Sequence, residues 1–314
     1  MLKNKSPSKA ICQDIIFHVQ QDKSPSFLLN KYKLGRIQAG VIILNPFECM
    51  YLFLRKKIAP ENPSLNHADR ILHRLGMTGT VLDLFIVYDL LKSRGFYVKV
   101  ENQMLYYRRT PRSDFKGPVK VIRESGGIKF MELFENGNCI YAALDDDNDL
   151  TIFISETWDQ AGKAEENINL KAEIKELDNL SAVDADSVPK WFGTLFGDIK
   201  LLNRAEAGYL TAIPYGSHEE MLTQKVYDDL IKRNFIVKTG FKYGANFRIY
   251  SENIEEHADF LVHVIGEDEQ WFKISRAVRV AQGVRKEMLF SGFVDDSPKY
   301  IKLRRVKDPF SAEN

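Results

Sequence analysis

The sequence predicts a mixed α/β (α+β) fold made of two tandem, related units, each a small N-terminal α/β subdomain followed by a sheet with flanking helices. Three observations predict it. A block in the first half recurs in the second, a helical pattern passes directly into a strand pattern in both copies, and strands and helices mix without the regular βαβ cadence of a doubly wound sheet. The 314 residues are 44% hydrophobic and 11% aromatic, enough to bury about two domain cores and to exclude wholesale disorder.

The repeat comes first because the other elements are placed against it. Val87 to Lys99 lies over Val226 to Lys238 with eight identities in thirteen positions, at an offset of 139. A second match, at offset 158, pairs Gly35, Leu44, Asn45, Glu48, Tyr51 and Leu52 with Gly193, Leu202, Asn203, Glu206, Tyr209 and Leu210. The expected division is therefore a first repeat over 1–156, an acidic linker over 157–189 and a second repeat over 190–314, whose C-terminal subdomain begins near 223. Glu156 to Lys190 holds nine Asp/Glu against four Lys and reads as a solvated linker, partly helical from Lys171 to Leu180.

Within the second repeat, Val226, Leu230 and Ile231 keep helical spacing, and Phe235 to Lys238 reads as a strand. Between them Asn234 stands where the first copy has Gly95, and both tolerate a tight turn at positive φ. Phe260 to Ile265 is short and apolar, a buried strand ending in the turn Gly266 to Glu269. From Ser275, the residues Val278, Ala281, Val284 and Met288 share one face of a predicted helix, with Arg279, Gln282 and Lys286 on a neighbouring face. Arg279 and Lys286 are two turns apart on that reading and project from the same side. Tyr300 to Val306 alternates as a final strand.

Charge excludes some classes and localises another. Lys+Arg 44 against Asp+Glu 43 leaves no global field for a nucleic acid or membrane surface, so any such binding needs local asymmetry. Gln270 to Lys307 supplies it, with ten Lys/Arg against three Asp/Glu. Cys12, Cys49 and Cys139 are too scattered for a disulfide framework or a zinc site and fit a reducing compartment. Met1 to Ser26 lacks an apolar signal core, and no apolar run approaches a membrane span, so a soluble, cytoplasmic protein is expected.

The two copies differ where chemistry would sit. The stretch from Gly240 to Tyr250 is rich in Gly, and it is followed by His257, then by Arg279 to Lys286; the first copy has no such His or basic helix. In these residues the sequence resembles the archaeal tRNA-splicing endonucleases: Val226 to Leu230, Phe235 to Tyr250, His257 to Val262, and Arg279 to Lys286 carry the likeness. The first copy resembles the degenerate repeat of the two-repeat, homodimeric branch, so the resemblance spans nearly the whole chain and implies nuclease-like C-terminal sheets. It implies cleavage of precursor tRNA at a bulge-helix-bulge fold, with no metal or cofactor, leaving 2′,3′-cyclic phosphate and 5′-hydroxyl ends. The triad then falls on Tyr250 as base or its orienter, His257 as acid and Lys286 as electrostatic stabiliser, the roles that in-line attack of a 2′-hydroxyl needs. Lys286 is the cation expected to bring the Tyr250 phenol, normally near pKa ~10, into range. Bulged bases are expected between Arg279 and a cation of the final strand, where Arg305 is chosen from Lys302 to Arg305. The acidic turns Asp145 to Asp149 and Gly266 to Glu269 are both candidates for docking a second copy of the chain.

Taken singly, Tyr250, His257 and Lys286 each also suit a structural or solvated role, and His263, inside an apolar run, reads as a core histidine. Two rival functions are weighed. One is a non-catalytic RNA-binding scaffold subunit. The other is a metal-dependent nuclease using Glu255, Glu256 and Asp259, for which no supporting carboxylate spacing is present.

Overall fold

The computed structural model describes residues 9–20, 30–164, 168, 170–178, 180–212, 216–255, 257–266, 268–308 and 310. By its internal contacts the chain divides into two units, Met1–Ile122 with Ile140–Leu144, and Arg123–Cys139 with Asp145–Asn314.

In the first unit, β1 (Lys9–Cys12), β2 (Ile15–Val19), β3 (Arg36–Gln38), β4 (Val41–Ile43) and β5 (Ile58–Pro60) form a five-stranded sheet in the order β3-β4-β1-β2-β5. Period-two burial builds it: β2 buries Ile15, Phe17 and Val19 and leaves Ile16 exposed. The helix α1 (Pro46–Leu54) opens on a capping box in which Asn45 and Glu48 exchange backbone and side-chain hydrogen bonds of 2.9 Å. The second Glu48 oxygen accepts from Gly35 N–H at 2.9 Å. After α2 (Ala68–Arg74), α3 (Thr80–Ser93) buries Leu84, Val87, Tyr88 and Leu91 at helical spacing. It stops at Gly95, φ +83°, where Phe96 N–H reaches back to Leu91 C=O at 3.2 Å. The chain then enters the antiparallel pair β6 (Tyr97–Glu101) and β7 (Met104–Arg108), which sets Tyr97 opposite Arg108. β8 (Lys116–Arg123) follows.

The second unit takes β9 (Gly127–Lys129) and α4 (Phe130–Asn136), loses most of β10 (Cys139–Leu144) to the first unit, and resumes with β11 (Leu150–Trp158). β12 (Lys175–Leu177), β13 (Leu180–Asp184), β14 (Thr194–Phe196) and β15 (Ile199–Leu202) make a small antiparallel sheet, followed by α5 (Arg204–Thr211) and α6 (His218–Lys232). The main sheet uses β16 (Ile236–Thr239), β17 (Phe247–Tyr250), β18 (Phe260–Val264), β20 (Glu287–Val294), β21 (Ser297–Val306) and β11, in the order β16-β17-β18-β20-β21-β11. β19 (Asp268–Gln270) pairs with β9, and α7 (Trp271–Gly283) makes the crossover that lets β18 and β20 run parallel.

Both matches of the sequence repeat acquire a physical reason. Asn203 and Glu206 form the same capping box as Asn45 and Glu48, at 3.0 Å, and Glu206 accepts from Gly193 N–H at 3.1 Å. At Asn234, φ +63°, α6 ends as α3 does at Gly95, with Phe235 N–H reaching Leu230 C=O at 3.1 Å. A left-handed residue closes each helix and drops a phenylalanine into the core, which turns helix into strand within two residues. Strand alternation then splits the second unit's core. Val237 and Ile249 pack under α6 with Val226, Tyr227, Leu230 and Phe235, whereas the cross-strand pair Ile236 and Tyr250 faces Val183, Trp191, Phe192 and Leu202.

Two expected helical segments differ. Lys171 to Leu180 is not helical where it is described: Lys175–Leu177 is a strand, and Leu180 opens the next. α7 begins earlier than Ser275, at Trp271, and ends at Gly283. Arg285 takes φ +56° and Lys286 N–H bonds Ala281 C=O at 2.9 Å, so the chain reverses there. The buried stripe of α7 is Trp271, Ile274, Val278 and Ala281; Val284 is exposed, and Met288 is buried as part of β20. Among the described residues, no helix is long and apolar enough to cross a membrane.

The twin capping boxes differ in burial. Glu206 is 2% exposed and also accepts from Lys238 Nζ at 2.8 Å, whereas Glu48 is only half-buried. Chemical denaturation is therefore expected to show a loss of about 2–3 kcal/mol for Glu206→Ala, which takes the carboxylate from a largely buried ammonium that keeps its bond to Gly193 C=O at 3.2 Å, against about 1 kcal/mol for Glu48→Ala, which removes a cap.

Candidate active site

One edge of the main sheet of the second unit gathers the chemistry. β17 runs antiparallel to β18, and β18 runs parallel to β20, so the end of β17 and the starts of β18 and β20 meet at the same edge. Tyr250 is the last residue of β17, His257 lies three residues before β18, and Lys286 immediately precedes β20. Asp259 joins the three strands: its N–H donates to Ile249 C=O at 3.0 Å, its C=O accepts from Glu287 N–H at 3.1 Å, and its carboxylate accepts from Ser251 N–H at 2.9 Å. The base of the loop from Ser251 to Ala258 is thereby closed, and the loop carries His257 exposed.

Lys286 is half-buried and its Nζ donates to Ala258 C=O at 2.7 Å, which fixes the ammonium beside the backbone of His257. Tyr250 is 7% exposed and shares its core cluster with Ala258 and Trp191. The structure thus brings the backbone around His257 together with Lys286, bonded to Ala258, and with Tyr250, in the same core cluster as Ala258. The cation recorded over the Tyr250 ring is Arg248, 5.9 Å from the centroid, while the Lys286 ammonium is engaged by the carbonyl of Ala258. Arg248 lies two residues before Tyr250 on β17 and so projects from the same face. Its Nε–H is buried without a hydrogen-bond partner, so the guanidinium keeps donor capacity. A cleft of about 470 Å³ opens beside this loop, lined by Lys163, Lys190, Trp191 and Glu252 to Glu255 among others.

The expectation that Arg279 and Lys286 share one helix face does not hold, because α7 ends before Lys286. Arg279 stands on α7, half-exposed, with its guanidinium 3.8 Å from Glu124. Arg305 is exposed on β21, opposite Phe153, and its carbonyl accepts from Gln282 Nε2 at 2.8 Å. Gln282 lies one turn after Arg279, so α7 and β21 hold the two arginines on neighbouring elements.

Comparison with known proteins matches this chemistry. Residues 221–301 match the family described as tRNA intron endonuclease, catalytic C-terminal domain. The chain is 34% identical to the tRNA-splicing endonuclease of Thermoplasma volcanium over 96% of this chain and 99% of that protein. It is 33% identical to the tRNA-splicing endonuclease of Picrophilus torridus, covering 93% and 95% of the two chains.

The chain belongs to the tRNA-splicing endonuclease family.

It is accordingly an RNA endonuclease, and the resemblance read from its motifs is the right one. Two parts of this candidate site are not among the residues singled out from the sequence for catalysis or RNA binding. Asp259 was weighed only as a metal ligand, although a carboxylate directly before a strand is a candidate for tying a loop. Arg248 was readable from its alternation with Tyr250, since i and i+2 share a strand face. Register adds a further contrast between the repeats. Ile236 faces Tyr250 across β16 and β17, and its counterpart at offset 139, Tyr97, faces Arg108, so the first copy carries Arg where the second has Tyr250.

His263 lies apart from this chemistry, in β18 against Phe290, with ring centroids 6.0 Å apart. Burial is the main cause that pushes its imidazole below the usual histidine range; Glu269 works against that shift and Lys273 with it. A depressed folded pKa means stability that is complete above the unfolded value of about 6.5 and is lost as pH falls from there through the folded value. Thermal unfolding of His263→Phe between pH 7 and pH 5 is expected to show a shallower acid decline than the parent.

Proposed function

We propose that this chain cuts precursor tRNA at both intron boundaries in a bulge-helix-bulge fold, without a metal ion, leaving 2′,3′-cyclic phosphate and 5′-hydroxyl ends. The observation that carries this reading is the bond from Lys286 Nζ to Ala258 C=O, which ties an ammonium to the residue beside an exposed imidazole, with Tyr250 in the same core cluster as that alanine. A phenol, an imidazole and an ammonium suffice for the reaction. The 2′-oxygen forms a bond to phosphorus and loses its proton towards Tyr250, acting as base or as orienter of the hydroxyl. The bond from phosphorus to the 5′-oxygen breaks, and His257 supplies that oxygen with a proton. Lys286 offsets charge growing on the phosphoryl oxygens. Arg279 and Arg305 hold a bulged base between cationic planes.

Residues 190–314 are read as the catalytic repeat and residues 1–156 as its pseudo-catalytic copy, a reading supported by Arg108 at the register position of Tyr250. One site per chain and two cuts per intron call for two chains, so the working form is a homodimer in the cytoplasm. Of the two acidic turns, Asp145 to Asp149 suits docking better. It is an exposed turn held by its own bonds, including Asp149 N–H to Asp145 Oδ1 at 2.8 Å, whereas Asp268 and Glu269 are already paired with β9.

Single-turnover cleavage by His257→Ala is expected to fall by about 10²-fold or more with RNA affinity retained; parallel loss of both would indicate folding damage and not a missing acid. Light scattering is expected to give twice the 36.1 kDa of one chain, and the double change Asp146→Lys with Asp147→Lys is expected to shift that mass towards the monomer.

A further inference from the structure

The segment from Gly240 to Asn246 is a stiff loop that enters β17 at the end opposite Tyr250 and displays an aromatic ring, and the mechanism above leaves it unused. Phe241 is 88% exposed, more than any other large apolar side chain among the described residues. An exposed phenylalanine usually rides on a loose loop, but this one is fastened at both ends. Gly240 N–H donates to Asn246 C=O at 3.0 Å, Tyr243 N–H to Gly240 C=O at 2.8 Å, and Phe241 N–H to Thr239 Oγ1 at 3.3 Å. Asn246 pins the loop to β18 through its own N–H to Val262 C=O at 3.0 Å and through Oδ1, which accepts Val264 N–H at 2.9 Å. A Cβ on Gly240 would meet the Ala245 and Phe247 carbonyls at 2.8 Å, so the fold requires glycine there.

The charge along the loop and the strand after it is of one sign. No acidic residue occurs between Gly240 and Tyr250, while Lys242 and Arg248 do. Lys242 Nζ lies 5.0 Å from the centroid of the Tyr243 ring. The Tyr243 phenol is held below the usual tyrosine range, first by Lys242 and further by Lys286 and Arg248, so it stands in the field of the proposed catalytic cation. A water-facing ring on a rigid support, beside a tyrosine that stands in the field of three cations, matches an unpaired nucleotide, whose base offers a π-face and whose phosphate carries the complementary charge.

Resting on the RNA-cleaving reading above, we infer that the loop from Gly240 to Asn246 is a stacking platform for an unpaired nucleotide of the RNA substrate, with Phe241 as the stacking face and Lys242 and Tyr243 on its phosphate side. Phe241 is a positioning residue here, and its effect falls on binding.

The test uses the full chain, a precursor RNA with a bulge at the cut, and a control RNA in which the bulge is paired. Phe241→Ala is expected to raise KM about ten-fold, with the change in KM exceeding that in kcat and with an unaltered unfolding midpoint. Phe241→Trp is expected to restore KM and to add a reporter, because Trp158, Trp191 and Trp271 are 4%, 7% and 0% exposed. Its emission is expected to be quenched by the bulged RNA and not by the paired one. An unchanged KM in Phe241→Ala, or emission unmoved by an RNA that the tryptophan variant cleaves, overturns the platform and leaves the cleavage reading intact. Failure of the unaltered protein to cut any RNA counts against the cleavage reading, whereas bulge-selective quenching would still uphold the platform.

Discussion

The site depends on how Asp259 is bonded. Its N–H, C=O and carboxylate hold Ile249, Glu287 and Ser251 respectively, so one residue fixes the end of β17, the start of β18 and the start of β20. Of the three candidate side chains, Tyr250 ends β17, while His257 and Lys286 lie in the segments that lead into β18 and β20. Once the junction is made, the loop carrying His257 can leave and return only over the same edge, and the reversal after α7 delivers Lys286 to Ala258. The geometry is set mainly by backbone bonds, which are shorter-ranged and less dependent on solvent than a direct contact between charged side chains.

Much of this was legible in the sequence, for reasons that can be named. The repeat at offset 158 is a capping box whose carboxylate also accepts a glycine N–H, a short-range pattern that ties three backbone N–H groups and is therefore readable from spacing. The repeat at offset 139 is an amphipathic helix closed by a left-handed residue, again local. What was not legible is non-local or depends on helix termination. The end of α7 was missed because Val284 and Met288 happen to continue its apolar spacing, while the residue that stops it, Arg285 at φ +56°, is not a usual signal for that conformation. The strands at Lys175–Leu177 and Leu180–Asp184 lie in an acidic stretch whose charges point to solvent, so composition suggested a linker where pairing with β15 makes a sheet.

The two halves share a framework and differ within it. The elements that shape the chain, the capping boxes and the helix ends, are kept in both. The halves differ in Arg108 opposite Tyr97 where Tyr250 stands opposite Ile236, and in the carboxylate partner of the matching lysines, Glu206 for Lys238 and Glu101 for Lys99.

The central claim is that the side chains of this edge perform a transesterification by themselves. The most direct measurement is cleavage of a bulge-helix-bulge precursor by the purified full chain in excess chelator, with the product ends identified. The account predicts undiminished cleavage with 2′,3′-cyclic phosphate and 5′-hydroxyl ends. Cleavage that stops until a divalent cation is returned, or products ending in 3′-hydroxyl and 5′-phosphate, would contradict it.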